Sequence, residues 1–85
     1  MPTVRQLFAG NLDRMLRERG LTQRAFAQAI GISEPMVSKW VNGVNFPEDA
    51  VIDRICEYLK IAPVELFRDR RARGIRAFKR HRRLL

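Results

Sequence analysis

The sequence predicts an all-α domain. Three observations carry that expectation. Apolar residues recur at helical spacing in successive segments. Those segments open on Thr, Ser or Pro and several close on Gly, residue types that suit helix ends. Alternating β-branched runs are few, whereas Leu, Arg, Ala and Glu, all favourable in helices, are common. At 85 residues there is room for one domain.

The elements follow in order. Thr3 and Gln6 have the form of a capping box, and Phe8, Leu12 and Met15 follow at i, i+4 and i+7. With Val4, Leu7 and Leu16 they predict a helix of about four turns ending near Gly20. Thr22 caps a second, short helix that buries Phe26, Ala27 and Ile30, leaves Gln23, Arg24 and Gln28 outside, and stops at Gly31. Only Gly31, Ile32 and Ser33 separate it from a third helix, a spacing that makes a helix-turn-helix.

That third helix, Ser33 to Gly43, divides cleanly at about 100° per residue. Met36, Val37, Trp40 and Val41 share one arc and point inward, whereas Glu34, Pro35, Ser38, Lys39 and Asn42 share the opposite arc. Ser33 is its N-cap, and Asn42-Gly43 is its stop. Pro47 then suits the first turn of a fourth helix, with Glu48 and Asp49 complementing its dipole and Ile52, Ile55 and Leu59 on its apolar side. It runs to about Lys60. Pro63 opens a fifth helix carrying Leu66 and Phe67. The expected division is a folded unit over 1–67 and a basic extension over 68–85.

Charge sharpens that division. Residues 1–67 carry eight bases and eight acids; residues 68–85 carry nine bases and Asp69 alone. The whole net charge of +8 therefore sits in the C-terminal stretch, a composition suited to a polyanion or an acidic protein partner. A solvated tail is the plainer reading of such a block. No apolar run is long enough to cross a bilayer, and the N-terminus lacks the charged-then-apolar order of a secretory signal. A cytoplasmic location is expected. Cys56, the only cysteine, falls in an apolar helical pattern and reads as a core residue. His81 is the only histidine and lies in the basic stretch, and no spacing suggests a metal site or a cofactor loop. The chain reads as a non-enzyme.

Leu21-Thr22-Gln23, Ala27, Gly31, Ser33, Val37-Ser38, Trp40, Asn42-Gly43, Pro47, Ile52, Ile55, Leu59, Ile61 and Leu66-Phe67 occur here in one order and at one set of spacings. Over residues 4–67 the chain thereby resembles the Cro/C1-type (Xre-like) helix-turn-helix domain of phage and bacterial repressors. The resemblance implies a compact five-helix, lambda-repressor-like DNA-binding domain. It also implies that helix 2 lies across the DNA backbone, that helix 3 enters the major groove, and that a homodimer binds a palindromic operator. Val41 departs from the family, which often has Glu there.

Glu34, Pro35, Ser38 and Lys39 fall where the resemblance implies base reading. Their chemistry suits it. Lys39 donates to guanine O6 or N7, Ser38 pairs with several base edges, Pro35 meets a thymine methyl and Glu34 accepts from cytosine N4. Gln23 and Arg24, in the first turn of helix 2, are candidate phosphate ligands, as are Ser33, Asn42 and Asn45. Pro63 and Val64, beside Ala62, form a candidate dimer contact. The leading expectation is thus a sequence-specific regulator of duplex DNA. Two alternatives stay open: an antitoxin or adaptor whose basic tail binds a protein, and an RNA-binding protein, although no aromatic stacking platform is visible.

Overall fold

The computed structural model describes residues 1–70; the remainder of the basic stretch, His81 included, lies outside the described residues. Four α-helices follow one another: α1 Val4–Glu18, α2 Gln23–Ile30, α3 Glu34–Val41 and α4 Asp49–Leu59. The expected fifth helix is instead one short 3-10 turn, Pro63–Phe67. Its Glu65 amide bonds the Ala62 carbonyl at 3.0 Å, three residues back rather than four. Five residues opened by proline offer too few donors to propagate an α-helix. The start of α4 also differs from expectation. Glu48 is its N-cap and Asp49 its first residue, while Pro47 is buried just ahead of it.

The helix starts are set by side-chain oxygens. Thr3 Oγ1 accepts from the Gln6 amide at 3.1 Å, and the Thr3 amide donates to Gln6 Oε1 at 2.9 Å, completing the box. Thr22 Oγ1 and Ser33 Oγ take the Ala25 and Met36 amides at 3.0 and 3.3 Å. All four helix ends use one device. A left-handed residue reverses the chain, and the next amide returns to a carbonyl five residues back. The bonds are Leu21 to Leu16, Ile32 to Ala27, Val44 to Lys39 and Ile61 to Cys56, at 2.8 to 3.0 Å. Leu21, Ile32 and Ile61 then fold onto the core. Three of the reversing residues are glycines, but the fourth is Lys60, at φ 59°.

α1 packs against α3 and the 3-10 turn; α2 packs against α3 and α4. Phe8, Leu12, Phe26, Val37, Ile55 and Leu66 are fully buried between them. The α1 stripe differs from expectation at two places. Val4 is 59% exposed, and Asn11, a polar residue, is buried. Asn11 Nδ2 donates to the carbonyls of Leu66 and Arg68, both at 2.9 Å, and its Oδ1 accepts from Arg14 at 3.2 Å. One side chain thus stitches the C-terminal segment to α1 and satisfies every strong group it buries. Two arginines act similarly on helix ends: Arg54 donates to the Ile30 carbonyl at 3.0 Å and Arg19 to the Leu59 carbonyl at 2.9 Å. They supply acceptor-bound donors where the last carbonyls of α2 and α4 lack helical partners.

Two outcomes follow for stability. Lys60→Gly removes a left-handed Cβ and raises unfolding free energy by roughly 0.5–1 kcal/mol, whereas Lys60→Ala, which keeps the Cβ, gives no gain. Asn11→Ala leaves two carbonyls without their donor and costs about 2 kcal/mol. Urea melts at constant slope read both.

Candidate nucleic-acid interface

α3 is held by its inward arc. Val37 is wholly buried and Trp40 is 2% exposed. Met36 and Val41 are half-buried and pack on the same core. At Val41, where the resemblance leads one to expect Glu, the chain has an apolar contact and so no ion pair. Glu34, Pro35 and Lys39 stand on the exposed arc together, and Ser38 among them is half-buried rather than exposed. Pro35 sits in the first turn, where its missing N–H has no helical acceptor to lose.

The partial burial of Ser38 has a visible cause. Asn42 folds back over the last turn, its Nδ2 2.9 Å from the Ser38 carbonyl and 3.4 Å from Ser38 Oγ. The Asn42 amide is therefore engaged at the helix end. Asn45 is engaged as well. Its Nδ2 lies 3.4 Å from Met36 Sδ, and its Oδ1 accepts from the Phe46 amide at 2.9 Å. The backbone amides of Gly43, Val44 and Asn45 return to Trp40 and Lys39. This loop is stapled from within, so its N–H groups face the chain itself. Spacing alone does not show which acceptor a turn amide finds.

At the other flank, α2 opens with Gln23 half-buried and Arg24 exposed. Thr22 takes the Ala25 amide; those of Gln23 and Arg24, as first-turn groups, have no helical acceptor and are free for an anion. Ser33 is exposed and spends its oxygen on capping Met36, leaving the hydroxyl proton to donate outward.

The charge inventory is narrower than the sequence suggests. Arg14, Arg17 and Arg68 pair with Glu18, Asp13 and Glu65 at 3.7, 2.6 and 3.3 Å, and Arg19 and Arg54 are spent on helix ends. Arg24 and Lys39 make no ion pair among the described residues. The two cations of the helix-turn-helix are therefore both left for a ligand. Pro63 and Val64 are exposed on the 3-10 turn, Val64 at 58%.

Cys56 is buried, and burial first, then the neighbouring Asp53 carboxylate, pushes its thiol above the ordinary range and keeps it neutral. Among the described residues no group of three metal-ligating side chains occurs, and no helix is long and apolar enough to cross a membrane.

Two short helices joined through Gly31, Ile32 and Ser33, with a polar arc facing out and cations at its edges, define a helix-turn-helix DNA-binding domain. The chain belongs to the family of Cro/C1-type HTH DNA-binding domains, whose model matches residues 11–70. That membership makes DNA its ligand and puts it among transcriptional regulators. No match was found among curated proteins. Among solved structures, the chain is similar to the SOS-response transcriptional repressor LexA of Eubacterium rectale: TM-score 0.75, 24% identity, 79% of this chain and 71% of that one. It is similar to the restriction-modification controller protein C.AhdI of Aeromonas hydrophila: TM-score 0.69, 25% identity, 74% and 96% covered. The clp gene regulator ClgR of Corynebacterium glutamicum shares the fold at TM-score 0.73 and 20% identity, over 96% of this chain and 85% of its own.

Proposed function

We propose that the protein is a sequence-specific regulator of double-stranded DNA, a repressor or Cro-like switch, that reads bases through Glu34, Pro35, Ser38 and Lys39. The observation that carries this reading is the two-sidedness of α3: Val37 and Trp40 anchor it, while Glu34, Pro35 and Lys39 remain exposed on the opposite arc. A helix fits the major groove, and these side chains supply one donor of positive charge, one hydroxyl, one acceptor and one apolar surface. Lys39 is the principal reader because it is exposed and unpaired. Ser38 contributes through a hydroxyl already oriented by Asn42.

Gln23 and Arg24 hold the phosphate backbone at the start of α2, with Ser33 donating beside them. Asn42 and Asn45 serve the interface by fixing the helix exit and loop; direct phosphate contact by either requires exchange of the bonds they make now. Two copies joined through Ala62, Pro63 and Val64 present their α3 helices to half-sites about 34 Å apart, the geometry that a palindromic operator answers. The work is cytoplasmic and non-catalytic, and the basic stretch over 68–85 adds sequence-independent affinity that salt weakens.

Lys39→Ala tests the reading. It weakens binding to a duplex recovered by selection by about 1–3 kcal/mol and relaxes one base position, with a much smaller effect on random duplex. An equal loss on both duplexes removes Lys39 from the base-reading set.

A further inference from the structure

The uncommitted phosphate ligands discussed so far, Gln23 and Arg24, both open α2. Beyond the C-terminal end of α3 lies a groove of about 520 Å³, lined by Thr3, Val4, Arg5 and Gln6 from α1 and by Gly43 and Phe46 from the loop after α3. Two other surface grooves carry a carboxylate, Asp69 in one and Glu57 in the other, but this one has none among its lining residues. Its single charge is Arg5, which is exposed and forms no ion pair among the described residues.

Most other arginines of the folded unit are committed to acids or to helix-end carbonyls. Arg5 is not, and it stands beside the loop through which the chain leaves the base-reading helix. The loop cannot supply donors itself, since its amides turn inward. A strand of DNA passing the C-terminal end of α3 would meet a stapled, uncharged loop, and the nearest cation across the groove is on the first turn of α1.

We infer that Arg5 is a second backbone clamp: a positioning residue that binds a DNA phosphate at the α1–loop groove, in addition to the Gln23–Arg24 clamp on α2. This rests on the proposed docking of α3 in the major groove. With a cation on α1 as well as one on α2, the domain is held at two separate backbone points, which resists rotation that one clamp alone does not prevent. The contact carries no base information, because phosphates are the same at every step.

The experiment compares wild type, Arg5→Ala and Arg5→Lys on a selected duplex and on a random duplex across a salt series, with urea melts to check folding. Arg5→Ala lowers affinity about five- to tenfold at 0.1 M salt on both duplexes, and the slope of log affinity against log salt falls by about 0.9. Arg5→Lys restores the slope. An unchanged slope in Arg5→Ala overturns the inference, and so does a loss confined to the selected duplex, which would make Arg5 a base reader. Failure of the base-reading proposal shows differently: Lys39→Ala then loses equally on both duplexes whatever Arg5 does.

Discussion

The structure depends on the ring of Phe8. It is fully buried on α1 and meets Trp40 of α3 edge-on, at 6.4 Å and 74°. It also meets Phe46 of the following loop at 5.2 Å and Phe67 of the 3-10 turn at 6.1 Å. Three segments that have no covalent reason to be adjacent therefore share one aromatic hub. α3 needs it. Eight residues are well short of the roughly 12–15 at which an isolated helix begins to persist in water. Its stability is borrowed from burial, and a fully buried aromatic or aliphatic side chain contributes about 1.5–3 kcal/mol. Val37 and Trp40 supply that burial, and Phe8 is what Trp40 packs on. The direction in which Lys39 points is thus a consequence of a contact on the far side of the helix.

The electrostatics follow the same economy. A body with eight bases and eight acids has no net charge to attract DNA as a whole. What it has is a selection among its cations. Exposed pairs such as Arg17 with Asp13 add little to stability, but they take positive charge out of play at faces where no ligand is proposed. The helix-end arginines do the same while satisfying carbonyls. Arg24 and Lys39 remain uncommitted on the two helices that a duplex would touch, and Arg5 remains so on α1. Long-range attraction is left to the basic stretch, and local discrimination to a few groups on α3.

Much of this was legible in the sequence, and for identifiable reasons. Caps are local: Thr3, Thr22 and Ser33 act within three residues of themselves, so their meaning survives without knowledge of the fold. The inward arc of α3 is periodic, and Val37 and Trp40 are buried as the period requires. What was not legible depends on partners distant in the chain. Asn11 bonds carbonyls 55 and 57 residues away, and nothing around it in sequence announces that. Arg19 and Arg54 reach carbonyls 40 and 24 residues away. That Ser38 is half-buried beneath Asn42, and that Asn45 bonds Met36 and Phe46, is a matter of rotamer rather than of spacing. The last element was read as a helix because Pro63, Leu66 and Phe67 have helical spacing, but at that length the 3-10 and α patterns place the same residues inward.

The most direct measurement is a map of backbone amide shifts when a duplex recovered by selection from random sequence is added to the isotopically labelled full chain. The account predicts that the largest changes fall on Gln23–Arg24 and on Ser33 through Lys39, saturate together, and diminish over Ser33–Lys39 when a random duplex replaces the selected one. Shifts confined to residues 71–85, with Ser33 through Lys39 unmoved by either duplex, would contradict it.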